Sequence, residues 1–467
     1  MKNLSDLIIN ISVLESHGPL DVMVPGISLN SKDIKSGGLF VALIGSISDG
    51  HTFIGSAIDS GAKIIVHQND LEVFVEGVTY IKVADTHEAV GLIASAFYEY
   101  PSGELKLIGV TGTNGKTTIA TLLHQLFINL GHRAGMIGTV VNKINEQSQE
   151  AERTTPDAIS LNKLLRAMVD AKCTYCFMEV SSHSVSERRI AGLVYAGGVF
   201  TNLTLDHLDY HKTIEAYRDA KKAFFDSLSE SAFALSNIDD ANGKYMLSGT
   251  QARKYYYGFK SEADFDERLE TKLIGEFNAY NILAIYGAAV LLDEDRGMVK
   301  QLIKSLEPVA GRFQSIKSSN GIVGIVDYAH TPDALQNVLL TVNGMREGSA
   351  QIITLFGCGG DRDKSKRPIM ANMAYNMSDI VILTSDNPRT ENPEFILADM
   401  VEGLPEGYDK TRVYVISDRG EAIEKACSLA KSGDYMLLAG KGHETYQIIG
   451  EEKIHFDDME EIKKYLK

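Results

Sequence analysis

Lys116, Thr117 and Thr118 close a glycine-rich run, Gly112-Thr113-Asn114-Gly115-Lys116-Thr117-Thr118. A run of this kind handles phosphate. Glycines let backbone N–H groups approach an anion, a following helix N-terminus adds its positive dipole end, a lysine reaches the outer phosphates and a hydroxyl holds Mg²⁺. The spacing is a variant of G-x-x-x-x-G-K-[ST], because Val110 stands where the first glycine belongs and Gly109 lies one residue too early. Apolar Leu105, Leu107, Ile108 and Val110 before the run predict a buried strand. Ile119, Leu122, Leu123, Leu126 and Phe127 after it predict a helix. Strand, loop and helix together predict a nucleoside triphosphate site.

Further acids, imidazoles and amines lie at the ends of other strand-like runs. Glu179 ends the run Phe177-Met178-Glu179, where a carboxylate meets Mg²⁺ in phosphate-loop proteins. Asp206, His207, Asp209 and His211 put two carboxylates and two imidazoles into six positions, a density that suits a divalent cation. Lys221 and Lys222 precede a helical stretch. In the last third, four polar loops follow four strands: Asp327 to Asp333, Gly357 to Lys364, Ser385 to Arg389, and Ala439 to Glu444. Any one of them could be an ordinary turn. Together they predict one rim, because ligands of open α/β sheets bind beyond the carboxyl ends of the strands.

The elements that must position these residues alternate between strand and helix periodicity, which predicts an α/β fold of three domains. Residues 1–102 read as a small α/β unit that closes in a helix and a Pro101-Ser102-Gly103 linker. Residues 103–310 read as the nucleotide-binding parallel sheet, and 311–467 as a Rossmann-like unit without G-x-G-x-x-G. The net charge of −16 argues against a nucleic-acid or anionic-membrane binder. The N-terminus MKNLSDLIINISVL carries an early Asp and no small-residue cleavage site. It predicts no signal peptide, and no later run approaches a membrane span. Cys173 and Cys176 form one C-x-x-C, expected to lie in one strand on opposite faces as reduced packing residues. The expected compartment is the cytoplasm.

TGTNGKTT, EVSSH, TNLTLDHLDYH, Ala220-Lys221, DYAHTPDAL, FGCGGDRDKSKRP, SDNPR and AGKGHE follow one another in this order. With these motifs the sequence resembles the Mur ligases of peptidoglycan synthesis, across its central and C-terminal parts and more loosely before them. The resemblance implies a monomeric amide ligase that cleaves ATP to ADP and phosphate. Its substrates would be UDP-N-acetylmuramoyl-L-alanyl-D-glutamate and meso-2,6-diaminopimelate, joined through an acyl phosphate. By motif position, Thr117 and Glu179 would bind one Mg²⁺. His207 would bind a second, together with a carbamylated Lys221. Asn278, Arg312 and Asp327 would contact the nucleotide. Thr154, Thr155, Ser181, Glu187 and Arg189 sit where the family holds the muramoyl-dipeptide, and Leu29, Ser31 and Ser46 where it holds the uridine end. Arg362, Asp386, Asn387, Pro388, Arg389, Gly440 and Glu444 would form the amino-acid pocket. There Arg389 would pair the far carboxylate of diaminopimelate, while Asp386, Asn387 and Glu444 accept from the far ammonium.

Three departures from the family stand out. Glu187 replaces a frequent neutral Gln and would add negative charge beside an anionic ligand. Asn30 replaces a frequent Asp, and Ser46-Ile47 a polar pair. Two other readings start from the same residues. One is a folate-extending relative, which is not expected to carry SDNPR or this GGDRDK loop. The other is a nucleotide-dependent switch, in which the His/Asp cluster and Lys221 have no purpose. A rival role for Arg389 is a simple ion pair with Glu391.

Overall fold

A computed structural model describes residues 1–45 and 48–466, so Ser46 and Ile47 lie outside the described residues. The first unit is a five-stranded sheet in the order Val13–His17, Thr79–Val83, Ile64–His67, Leu39–Val41, Ile27–Ser28, antiparallel only at the first pair. Its helix Thr86–Phe97 starts at Asp85, whose carboxylate accepts from the backbone N–H groups of His87 and Glu88. Val90 and Ile93 of that helix pack on Leu39, Val41, Ile64 and Ile81, and the same core takes in Ala158 of the central unit. Pro101 and Ser102, read as a linker, are buried in a 3₁₀ turn rather than exposed.

The central sheet has eight strands in the order Gln147–Glu150, Val141–Ile144, Ala134–Ile137, Tyr175–Glu179, Lys106–Thr111, Gly197–Phe200, Phe233–Asn237, Arg253–Tyr257. From Ala134–Ile137 onward all pairings are parallel, as the alternating pattern predicts. Lys106–Thr111 lies mid-sheet, and the chain leaves it first to one side and later to the other. Its carboxyl end is therefore a topological switch point, flanked by Glu179 on one side and Thr201 on the other. The helix Lys116–Asn129 fully buries Ile119, Leu122, Leu123, Leu126 and Phe127, each contributing about 1.5–3 kcal/mol. Val141–Ile144 and Gln147–Glu150 form an antiparallel hairpin that the sequence pattern did not signal, because its residues are largely polar. Cys173 lies ahead of the strand Tyr175–Glu179 and shares one core with Cys176, which corrects the opposite-face expectation.

The C-terminal sheet runs Gln314–Lys317, Val323–Asp327, Tyr435–Ala439, Ile352–Cys358, Ile380–Ser385, Val413–Val415. Only the first pair is antiparallel. The four parallel strands from Val323–Asp327 to Ile380–Ser385 are neighbours, so the four polar loops that follow them do share one rim. Among the described residues no helix is long and apolar enough to cross a membrane, and all four cysteines are free.

Candidate active site

The phosphate loop is shaped by its neighbours as well as by its glycines. Gly112 has φ 151°, and a Cβ there would stand 1.8 Å from Thr201 Oγ1. Gly115 has φ 89°, with Asn281 Oδ1 2.6 Å from where a Cβ would lie. Side chains at either position would clash with the wall of the site. Thr113 N donates to Asn202 O, Asn114 N donates to Asn202 Oδ1, and Thr201 Oγ1 donates to Asn114 O. The loop is thus held from behind before any ligand arrives. Lys116 is folded back over it, Nζ donating to Gly112 O at 2.9 Å and Thr113 O at 2.8 Å. Burial lowers its pKa from the ordinary lysine value.

Thr117 Oγ1 donates to Glu179 Oε2 at 2.9 Å. Glu179 is 1% exposed, and it also accepts from Thr139 through N (2.8 Å) and Oγ1 (3.1 Å). Thr139 lies in no motif and is legible only in the fold. Lys221 is buried, its Nζ donating to Gly112 O at 2.9 Å and lying 4.4 Å from the ring centre of Tyr217. Burial, then the charge of Lys116, depresses its pKa well below the ordinary value. His207 Nε2 is 3.5 Å from Asp206 Oδ2, and burial is the main cause of its lowered pKa, which favours the neutral imidazole.

The six-residue His/Asp cluster does not converge. His211 turns away to hydrogen-bond Ser182 Oγ at 2.9 Å. Among the described residues no group of three or more His, Cys, Asp or Glu could hold an ion by itself. A hydroxyl, one carboxylate and a neutral imidazole nevertheless fit Mg²⁺, which takes one or two carboxylates and leaves the remaining positions to phosphate and water. They line a cavity of about 130 Å³ together with Lys116, Lys221, Thr154, Ser181, Asp206, Arg312 and His330.

A cleft of about 380 Å³ between the central and C-terminal units adjoins this cavity, lined by Asn114, Gly115, Thr118, Asn281, Arg312, Asp327 and Asp333 among others. Asp327 accepts from Phe313 N and Ala329 N, both at 2.7 Å, and burial raises its pKa. Asn278 is not on the cleft wall. It is buried and donates to Ile274 O, while Asn281, one helical turn on, donates to Asn278 Oδ1 and reaches the cleft instead. The expected nucleotide contact of Asn278 is therefore at most indirect in this structure. Asn114 Nδ2 donates to Asp333 Oδ2 at 3.0 Å, joining the loop to the C-terminal unit.

The residues expected around the muramoyl-dipeptide are partly occupied with one another. Thr155 is fully buried and donates to Glu179 O. Ser181 Oγ caps a short helix by accepting from Ser184 N, and Thr154 Oγ1, 3.1 Å from Thr139 Oγ1, donates to it, since the Thr139 hydroxyl hydrogen is on Glu179. Arg189 donates from Nε to Glu187 Oε2 at 2.8 Å and from Nη1 to Thr155 O at 3.0 Å. The negative charge expected of Glu187 is thus offset by Arg189. Leu29 packs half-buried on the N-terminal core and Ser31 is buried. Ser46 lies outside the described residues.

The four-loop rim encloses a cavity of about 400 Å³ that includes Arg362, Asp386, Asn387, Arg389, Gly440 and Glu444. Arg389 adopts φ 52°, with Nη1 donating to Gly360 O at 2.9 Å and Asn387 O at 3.4 Å. Glu391 is taken by Arg367 and Lys364, so Arg389 is not its partner. Pro388 O accepts from Glu391 N within the same turn. Arg362 is exposed at the rim and donates to Asp361 O. Gly440 takes φ 111°. Asp386, Asn387 and Glu444 are not idle acceptors, since the fully buried Lys441 lies behind all three. A second buried cation, Arg419, forms a double hydrogen bond with Asp458 and donates to Ser385 O and Ala439 O, the last residues of two rim strands. Sequence reading missed both cations. Asp206, His207, Tyr328 and His330 line this cavity and the phosphate cavity alike, so the two cavities adjoin.

Comparison with known proteins gives concordant matches. The descriptions "Mur ligase family, catalytic domain", "Mur ligase middle domain" and "Mur ligase, glutamate ligase domain" match residues 24–98, 110–289 and 311–442. The chain is 49% identical over 478 residues to the UDP-N-acetylmuramoyl-L-alanyl-D-glutamate–2,6-diaminopimelate ligase of Bacteroides fragilis, covering 99% of this chain and 98% of that protein. A solved structure of a ligase of the same name aligns with TM-score 0.67 and 32% identity over 100% of this chain and 98% of that one. MurF ligase from Thermotoga maritima, solved with ADP, shares the fold at TM-score 0.61 and 18% identity, covering 94% of this chain and 96% of that one.

Proposed function

The chain belongs to the Mur ligase family, and we propose that it joins meso-2,6-diaminopimelate to UDP-N-acetylmuramoyl-L-alanyl-D-glutamate in peptidoglycan precursor synthesis. It is an ATP-dependent acid–amino-acid ligase that forms ADP. An oxygen of the substrate carboxylate attacks the γ-phosphorus, the bond to ADP breaks, and an acyl phosphate forms. The amine nitrogen of diaminopimelate then attacks the acyl carbon, loses its proton, and inorganic phosphate leaves with its electron pair. A carboxylate by itself is a poor acylating agent, which is why phosphorylation must come first. The protein's work is positioning and charge neutralisation.

Lys116 swings from its loop carbonyls to the transferring phosphoryl group, and Arg312 neutralises the same end from the C-terminal side. Bound Mg²⁺, two ions in this reading, would offset charge on the phosphate oxygens, held by Thr117 and Glu179 at one position and by His207 and Lys221 at the other. For that role Lys221 must become an anion. Burial favours its neutral amine, whose nitrogen can add to CO₂ with loss of a proton to give a carbamate. Arg389 supports diaminopimelate as the amino acid, since among the described residues Nη1 is the only guanidinium nitrogen bonded and the outer edge remains for a far carboxylate. The enzyme works in this reading as a cytoplasmic monomer.

The observation that carries the proposal is the wall shared by the phosphate and amino-acid cavities, formed by Asp206, His207, Tyr328 and His330. Phosphate release should need both the nucleotide-linked dipeptide and the amino acid. Turnover of ATP indifferent to the amino acid would favour a nucleotide switch. Native mass analysis should show Lys221 heavier by one CO₂, and an unmodified lysine in active enzyme would remove the carbamate from the mechanism.

A further inference from the structure

The inner end of the amino-acid pocket is built around a cation that belongs to the protein. Lys441 is 0% exposed. Its Nζ donates to Glu444 Oε2 at 3.1 Å, Asn387 Oδ1 at 3.3 Å and Asp386 Oδ1 at 3.4 Å. Asn387 has little left to offer a ligand. Its Oδ1 also accepts from Ile448 N at 2.9 Å, and its Nδ2 donates to Glu444 Oε2 at 2.8 Å. An amide oxygen has two lone pairs, and both are in use. Each carboxylate therefore presents to Lys441 one oxygen, Asp386 Oδ1 or Glu444 Oε2, and leaves Asp386 Oδ2 and Glu444 Oε1 for the cavity that both residues line. The same cavity is lined by Arg389, whose guanidinium is bonded through Nη1 alone among the described residues.

We propose that Lys441 is a specificity-determining residue: it supplies from behind the positive charge that Asp386 and Glu444 would otherwise take from the ligand, so that the pocket accepts a zwitterionic terminus and rejects a bare ammonium. The proposal rests on the amino-acid pocket assigned above. With Lys441 and Arg389 facing Asp386 and Glu444, the inner end is neutral overall. The far end of diaminopimelate, one ammonium and one carboxylate, leaves it neutral and pairs every group. The side chain of lysine would add one uncompensated positive charge and leave the Arg389 edge unpaired, a steep penalty in a desolvated pocket. Without Lys441 the same end would be negative by one and would welcome that ammonium. Burial and the neighbouring Asp386 raise the Glu444 pKa, while the charge of Lys441 and the hydrogen bonds from Asn387 and Lys441 oppose the rise.

The test is kcat/KM for meso-diaminopimelate and for lysine in the unmodified enzyme, Lys441→Met and Lys441→Arg, with the KM for ATP measured alongside. Lys441→Met should lower the preference for diaminopimelate at least tenfold, chiefly by a fall in the KM for lysine, with the KM for ATP unchanged within about twofold. Lys441→Arg, which keeps the charge, should restore most of the preference. Equal losses on both amino acids in Lys441→Met, or an unchanged ratio, would make Lys441 merely structural and overturn the proposal. If Lys441→Met loses its cooperative melt, Lys441→Gln, which keeps a hydrogen-bond donor and removes the charge, decides by the same ratio: a preference for diaminopimelate at least tenfold lower supports the proposal, and an unchanged ratio overturns it. An unmodified enzyme that ignores diaminopimelate but turns over with another amino acid would refute the pocket assignment instead.

Discussion

Arg312, at the head of the C-terminal unit, donates from Nη2 to Thr117 Oγ1 on the phosphate loop at 3.1 Å. Thr117 Oγ1 in turn donates a hydrogen bond to Glu179 Oε2, and the Arg312 guanidinium lies 4.5 Å from the ring centre of Tyr328. One line of contacts therefore runs from the C-terminal rim, through the hydroxyl that would face a metal, to the buried acid beneath it. Arg312 lines both the inter-unit cleft and the phosphate cavity, so the two share this side chain as a wall.

Arg312→Met should accordingly weaken ADP binding. A hydrogen bond from a charged group contributes about 1.5–3 kcal/mol, or a roughly ten- to hundredfold rise in Kd by calorimetric titration. Unchanged affinity would remove Arg312 from the nucleotide site.

Lys116→Ala should abolish product formation while leaving the melting temperature within a few degrees of the unmodified protein. The hydrogen bonds of Nζ are to the carbonyls of Gly112 and Thr113 in its own loop, whereas a cation withdrawn from a transferring phosphoryl group raises the barrier by several kcal/mol. Near-normal turnover would refute the assignment of this loop.

The phosphate loop, the acid Glu179 and the four rim loops were legible in the sequence because each is local: a strand end followed by a short polar turn. What escaped was set by tertiary structure. Lys441 was legible only as one residue of the Ala439 to Glu444 loop and Arg419 not at all, since nothing local announces that Asp386, Glu444 and Asp458 will pair with them. Asn281 could have been found from Asn278, because i and i+3 share a helix face, but which of the two meets the cleft depends on how the helix is rotated. The hairpins at Val141–Glu150 and Tyr446–His455 carry little apolar alternation and left no periodic signal. Density alone misled at Asp206 to His211, where His211 hydrogen-bonds Ser182 Oγ and does not line the phosphate cavity that His207 lines.

His124 gives the fold a pH dependence. Its Nε2 donates to Asn145 O at 3.0 Å, Nδ1 has no partner among the described residues, and burial holds its pKa down to about 4. Between pH 6.5 and 4 the unfolded chain binds a proton that the folded chain does not, so this residue's contribution to stability falls as pH falls. The loss between pH 7 and pH 5 is about 2 kcal/mol. Urea unfolding at the two pH values should show that difference shrinking by this amount in His124→Gln, and an identical pH dependence would contradict it.

Asp458→Asn should be costly although neither Asp458 nor its partner Arg419 lines the amino-acid cavity. Its carboxylate and Arg419 are both 0% exposed and bonded at 2.6 and 2.7 Å, and breaking a buried pair from one side costs about 3–5 kcal/mol. Because Arg419 also holds Ser385 O and Ala439 O, the KM for the amino acid should rise more than the KM for ATP in whatever protein remains folded. A loss of under 1 kcal/mol in urea unfolding would show the pair to be dispensable.

The most direct test of the whole account is a coupled assay with ATP, Mg²⁺, UDP-N-acetylmuramoyl-L-alanyl-D-glutamate and a panel of amino acids, read by ADP release and product mass. The expected result is one ADP per amide formed, meso-diaminopimelate preferred strongly over lysine, and that preference collapsing in Arg389→Ala with ATP affinity little changed. Equal use of lysine by the unmodified enzyme, or ADP release without any amide product, would contradict it.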